Sequence, residues 1–207
     1  MSDSFRIVPM RAEHLEGVAA LQPLAFPPPF PSYMHWDPED LAYHIAIFPE
    51  GQFVALHEGE VVGSCSNTRT TVHHWEARSS WMETVGGPRL ENFDPSGQIL
   101  YGLDISVHPA FRRLGIARAF YAARFDWVRA NGALAYGTIC RIPDYADWEL
   151  TNHGTPEEFA DAVVAGEATD RTLTPLLRFD LQYKGVFRDY MEDSESHNAG
   201  AILEWRP

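Results

Sequence analysis

The chain has 207 residues, a net charge of -13 at pH 7 and 45% hydrophobic residues. A length of this order buries roughly two-thirds to three-quarters of its unfolded surface in one domain, so stability requires neither a metal nor a disulfide. The acidic balance repels nucleic acid and anionic lipid at long range and favours a cationic partner, and prolines or charges break every apolar run short of the ~18 residues a membrane span needs.

The opening MSDSFRIVPM lacks the charged-then-apolar layout of a secretory leader. Cys65 and Cys140 show no metal or redox spacing and read as small core residues. The expectation is one cytoplasmic domain over residues 1–207, without a metal site.

In chain order, SFRIVPM reads as a strand and RAEHLEGVAALQ as a helix with Leu15, Val18, Ala19 and Leu21 on its apolar side. The proline-rich LAFPPPFPSYMHW cannot be a helix or central strand and forms a stiff, aromatic loop. Asp37 then caps a helix whose first turn holds Pro38. QFVALHEGEVVGSCSNTRTTV reads as a hairpin: FVAL, a tight turn at Glu58-Gly59, then VVGSCS. Residues 73–97 form a long connection with a short helix around Glu76 to Thr84.

GQILYGLDISV follows as a strand, GIARAFYAARFDWVRANG as a helix and ALAYGTIC as a strand. Thr155-Pro156-Glu157-Glu158 opens a helix with a capping box, and Gly166 closes it. A short helix in TLTPLLRFDL and strands in YKGVFRDY and AGAILEW complete the chain. The pattern predicts a mixed α/β (α+β) domain with a mostly antiparallel sheet and one β-α-β crossover over residues 98–140. The last strand offers an edge through which a homodimer could pair.

Lys184 is the only lysine, and Arg112, Arg113, Arg118, Arg124 and Arg129 fall in one short segment. Either they form a solvated helix face or they recognise an anion. The turn HPAFRRLG between strand and helix favours the anion. Ile116, Phe120, Ala123 and Trp127 seat the helix on the sheet. Its first N–H groups therefore point outward with the positive end of the macrodipole, and Gly115 removes the Cβ that would keep a phosphate away. A dinucleotide fingerprint and a Walker A loop are both absent.

Arg112-Arg113-Leu114-Gly115-Ile116-Ala117, after Val107-His108-Pro109, matches R/Q-x-x-G-x-G/A. The segment resembles the coenzyme A site of GNAT N-acetyltransferases. LYGLDISVHPAFRRLGIARAFYAAR, CRIPDY, EEFADAVVAGEATDRTL and VFRDYMEDSESHNAGAILEW further resemble the acetyltransferase-like domain that some nitrilase-type hydrolases carry. No hydrolase part follows within these residues, so amidase activity is not implied.

The resemblance implies an acetyl-CoA-dependent N-acetyltransferase acting on a primary amine of a small molecule or peptide. It implies that Ile105, Ser106 and Val107 line the pantetheine arm, and that the diphosphate rests on the turn of Arg112, Arg113, Leu114, Gly115, Ile116, Ala117 and Arg118. The acetyl carbonyl is expected near the backbone of Ser106 or Val107.

Tyr101 stands where many members carry a glutamate base, and Leu176 where they carry a tyrosine acid; Arg178, Tyr145 or Tyr183 could replace the latter. Simple alternation puts Asp104 on the face of Gly102 and Ser106, opposite Tyr101, Leu103 and Ile105. There it is either a base acting through water or a cap for neighbouring backbone. Tyr101 and Asp104 are the catalytic candidates. Competing readings are a coenzyme A-binding regulatory or structural domain without turnover and an unrelated nucleotide-binding turn.

Overall fold

A computed structural model describes residues 5–207. Strand β1 (Arg6–Pro9) leads into α1 (Leu15–Ala25) and α2 (Pro38–Ile47), then the hairpin β2 (Phe53–His57) and β3 (Glu60–Thr70). The helices α3 (Val72–Ala77) and α4 (Trp81–Val85) precede β4 (Ile99–Val107), α5 (Ile116–Asn131) and β5 (Ala135–Arg141). Helices α6 (Tyr145–Asn152), α7 (Pro156–Ala165) and α8 (Leu173–Leu176) and strands β6 (Gln182–Phe187) and β7 (Gly200–Trp205) finish the chain.

The strands form one seven-stranded sheet in the order β1-β2-β3-β4-β5-β7-β6. Among the described residues, β4 and β5 are the only neighbouring strands that pair in parallel. Helix α1 packs its Leu15 and Val18 with Ile99 and Tyr101 on one face. Helix α5 covers the other, with Ile116 and Phe120 against Cys65, Ile105 and Val107, and Tyr121, Phe125 and Val128 against Leu100 and Tyr136.

Local chemistry sets many boundaries. Asp37 accepts from the Asp40 amide at 2.8 Å at the head of α2, Thr155 and Glu158 cap α7 reciprocally, and Gly132 ends α5 at φ +62°. Glu58 and Gly59 both take positive φ, as a two-residue hairpin turn demands.

Four expectations change. The single helix around Glu76 to Thr84 is two, because Arg78 turns left-handed at φ +56° and Ser80 starts a new capping box with Glu83. Strand β3 runs on through polar Asn67, Thr68 and Thr70, all buried. Helix α6 arises in a stretch to which the pattern assigns no element; its exposed Leu150 blurs the apolar side that would mark a helix. Finally, β7 lies between β5 and β6, so its backbone is already paired on both sides and it offers no edge for a dimer; the sheet's edges are β1 and β6.

Candidate active site

Strand β4 separates from β5 after three residue pairs. The parallel ladder holds Ile99 to Ala135, Leu100 to Tyr136 and Tyr101 to Gly137, and stops there. One side-chain bond follows, from the Thr138 hydroxyl to the Gly102 carbonyl at 3.0 Å. Beyond it, β5 continues to pair with β7 while β4 continues only with β3, leaving a wedge beside Leu103 to Val107.

A β-bulge causes the parting. Ser66 pairs with Asp104 and Asn67 with Gly102, so Leu103 is the extra residue and β4 bends away. The buried Arg124 of α5 braces the bend. Its Nε donates to Asn67 Oδ1 at 2.7 Å, and its Nη2 donates to the carbonyls of Ser66 and Asp104 at 3.1 and 3.0 Å. Arg124 is thus not part of a surface cationic patch. Arg129 likewise pairs with Asp126 at 3.1 Å.

The bulge also corrects the alternation. With Leu103 inserted, Asp104 and Ser106 point to the same face as Tyr101, towards α1, whereas Ile105 and Val107 join Leu100 on the α5 face. On the α1 face Gln22 Nε2 donates to Ser106 Oγ at 3.1 Å, and Ser106 Oγ donates to Asp104 Oδ2 at 3.2 Å. Asp104 Oδ1 and the Ser66 hydroxyl are buried without a partner in hydrogen-bonding geometry. Burial raises the Asp104 pKa, against the opposing pull of Trp36, Arg124, Ser106 and Ser66.

Tyr101 is fully buried, its hydroxyl donating to that of Tyr190 at 3.2 Å. Burial raises its pKa strongly, so it keeps its proton at neutral pH and does not serve as a base. On the α5 face the Tyr136 hydroxyl is buried without a partner. It lies against the position a Gly102 Cβ would occupy, at the apex of the wedge.

At the open end of the wedge, Pro109–Phe111 form one tight turn and Arg112 Nε donates to the Val107 carbonyl at 3.4 Å. Arg113 and Gly115 both take left-handed conformations, φ +67° and +93°. This alternation of backbone turns points successive N–H groups into one concavity. Gly115 is also the N-cap of α5 and supplies no side-chain acceptor. Among the described residues, the first amide after Arg112 to find a backbone acceptor is that of Ala119, on the Gly115 carbonyl at 3.0 Å.

A Cβ on Gly115 would meet nothing within 4 Å. Arg112, Arg113 and Leu114 are exposed around this open space, Ile116 is buried and seats the helix, and Ala117 is half-buried. Arg118 lies 6.0 Å over the Phe179 ring. Unfilled amides, the helix N-terminus and three guanidinium groups fit a diphosphate.

In the connection over residues 73–97, Glu83 and Asp94 accept from the amides of Ser80 and Ser96, and Trp75 donates to Glu204 at 2.9 Å. The aromatic loop does lie over the α1 face: Trp36 packs on Trp81 at 5.7 Å, Phe30 lies 4.9 Å from the Arg141 guanidinium, and Tyr33 bonds Glu192. No tyrosine occurs between Leu173 and Phe179; Phe179 stacks on Tyr121 at 4.8 Å instead. Tyr145 is engaged with the Gly154 carbonyl at 3.1 Å.

Gln22 and Ser66 escaped the sequence reading. Gln22 follows Leu15 and Val18 at helical spacing, and a polar residue on that apolar stripe was the available sign.

The mixed sheet opens between two parallel strands, and its mouth carries a turn of amides without backbone acceptors beside exposed arginines. The chain belongs to the acetyltransferase (GNAT) family, which it matches over residues 15–144, and is accordingly an acyltransferase. It is 32% identical over 195 residues to YkwB, an uncharacterized N-acetyltransferase of Bacillus subtilis, covering 93% of this chain and 84% of that one. It is 30% identical over 177 residues to YhcX, a probable hydrolase of Bacillus subtilis, covering 85% of this chain. The match takes in only 34% of YhcX, so the chain spans about a third of that protein. The fold also superposes on GphF, a GNAT-like decarboxylase in complex with isobutyryl-CoA, with a TM-score of 0.76, 24% identity and coverage of 97% and 98%. No helix among the described residues is long and apolar enough to cross a membrane.

Proposed function

We propose that the chain is one domain over residues 1–207 that transfers an acetyl group from coenzyme A to a primary amine of a small molecule or peptide. The observation that carries this reading is the wedge between β4 and β5 ending at the open amides of the Gly115 turn. Family membership supports coenzyme A as the carrier. Ile105, Ser106 and Val107 line the arm, and Arg112 to Arg118 hold the diphosphate through their amides and guanidinium groups. A main-chain amide at Ser106 or Val107 stabilises the developing oxyanion in this reading.

The amine must lose a proton as it attacks, and the thiolate must gain one as it leaves. Asp104 is the base in this reading, reached through water or the Ser66 hydroxyl. The unpartnered Tyr136 hydroxyl at the wedge apex supplies the proton for the sulfur, in place of the tyrosine absent from α8. Tyr101 supports the site by holding Tyr190. The acidic chain favours an amine acceptor over nucleic acid and works in the cytoplasm.

The test is thiol release from acetyl-CoA with a broad panel of amines, with the acetylated product confirmed by mass. Amine-dependent release is expected. A second reading, a coenzyme A-binding domain without turnover, is favoured by the closed Oδ1 of Asp104 and by Phe179 in the acid's neighbourhood. It predicts tight coenzyme A binding with background hydrolysis alone.

A further inference from the structure

We propose that Gln22 is a positioning residue that, through Ser106, fixes which oxygen of Asp104 exchanges the proton. The proposal rests on the reading of Asp104 as the base, and deepens it. Gln22 and Ser106 are both buried, on α1 and β4, and their contact joins the helix to the strand.

The argument follows the direction of the hydrogen bonds. An amide nitrogen only donates, so Ser106 Oγ must accept from Gln22 Nε2 at 3.1 Å. A hydroxyl has a single hydrogen, and that hydrogen then points to Asp104 Oδ2 at 3.2 Å. Oδ2 is held as an acceptor and cannot carry the acid proton without losing this bond.

The other oxygen is under no such constraint. No bond of good geometry fixes Asp104 Oδ1, which leaves the carboxylate facing the Trp36 and Ser66 side chains, and Ser66 Oγ, on the residue directly across the ladder, is likewise without a fixed partner. A serine hydroxyl without a fixed partner can rotate: it donates to Oδ1 when the carboxyl is ionised and accepts when Oδ1 is protonated. The proton therefore comes and goes at Oδ1, on the Ser66 side.

The titratable neighbours do not compete. Arg124, from α5 on the opposite face, keeps its charge: burial works against it, but Cys65, Tyr136, Tyr121 and Asp104 raise its pKa. The Cys65 thiol of β3 is pushed up to about 11 by burial. Trp36, from the loop over α1, has no titrating proton in this range. A titration in the acid-to-neutral range at this position belongs to Asp104.

The experiment reads Asp104 directly. In protein carrying carbon-13 at aspartate side-chain carboxyls, the Asp104 resonance, assigned by its loss in Asp104→Asn, is followed with pH in wild type, Gln22→Met and Gln22→Glu. Losing the amide donor frees Ser106 to turn away, so Gln22→Met should raise the midpoint by about half a pH unit. Gln22→Glu should raise it by about one unit or more, a tenfold change in proton affinity, since the new carboxylate takes the Ser106 hydrogen and adds like charge. Ser106→Ala serves if a Gln22 variant fails to fold, and should raise the midpoint likewise.

Midpoints unmoved in folded variants overturn the proposal, and a loss of melting temperature alone would mark Gln22 as mere packing. The acid limb of kcat/KM, measured in parallel, separates the two levels. If the resonance shifts while the limb stays, Gln22 does orient Asp104 but Asp104 is not the base.

Discussion

The Arg124 guanidinium donates to the backbone carbonyl of Asp104 at 3.0 Å, tying helix α5 to the strand residue beside the bulge. The same group holds the Ser66 carbonyl and the Asn67 side chain, so one buried arginine fixes the three residues that force β4 away from β5. Arg124→Leu leaves all three acceptors unsatisfied in an apolar setting. We expect a loss of about 3 kcal/mol or more, a fall in Tm of about 6–12 °C for a chain of this size. Arg124→Lys keeps charge but not the planar fork and should recover only part. Urea unfolding monitored by tryptophan fluorescence measures both.

Asp104 gives a pH dependence of definite sign. Its pKa is raised in the folded state, chiefly by burial. The native state then binds the proton more tightly than the unfolded chain, and its stability falls as pH rises from the ordinary aspartate range through the raised value. Asp104→Asn removes this penalty. The variant's Tm should gain on wild type as pH goes from 4 to 8, with no such gain below the window, while acetyl transfer drops. A gap in Tm that does not depend on pH would contradict the assignment.

Tyr101 tests the difference between a proton holder and a base. Its hydroxyl bonds Tyr190 and its phenol stays protonated. Tyr101→Phe should cost about 1 kcal/mol of stability and leave the pH profile of kcat/KM where it was. A vanished or displaced limb in that profile would restore Tyr101 to the chemistry.

Arg141 anchors the acceptor side. At the end of β5 it binds Asp193 through two bonds of 2.8 and 2.6 Å and Glu195 at 2.8 Å, beneath Phe30 of the aromatic loop. Burial alone would raise the Asp193 pKa, but Arg141 and Ser196 outweigh it and hold the carboxyl below the usual range. Its contribution is present above the unfolded aspartate pKa and is lost as pH falls through the depressed native value. Arg141→Met should cost about 3–5 kcal/mol at pH 7, and less where Asp193 is protonated. With Phe30 unsupported, KM for the amine should rise more than kcat falls. Urea titrations at neutral and acid pH check the first point and steady-state kinetics the second.

Features written within a few neighbouring residues could be read from the chain alone. Asp37, Thr155, Gly132 and the Glu58-Gly59 turn mark boundaries by local hydrogen bonds and backbone preference, and the Gly115 turn by the same means. The bulge could not be read, because one inserted residue shifts every later side chain of β4 to the other face while leaving no periodic trace. That is why simple alternation sets Asp104 opposite Tyr101, whereas the bulge brings both to one face. Arg124 was hidden for a related reason: on a helix stripe it resembles its exposed neighbours Arg118 and Arg129, and only the carbonyls of the distant bulge explain its burial.

The central claim, that open amides around Gly115 seat the diphosphate of coenzyme A, is tested most directly by calorimetric titration of Gly115→Glu with coenzyme A. The substitution strains a residue at φ +93° and sends a carboxylate into the space above the turn. The account predicts affinity reduced about a hundredfold or more, roughly 3 kcal/mol, in a variant whose circular dichroism matches wild type. Undiminished uptake by that folded variant would contradict it.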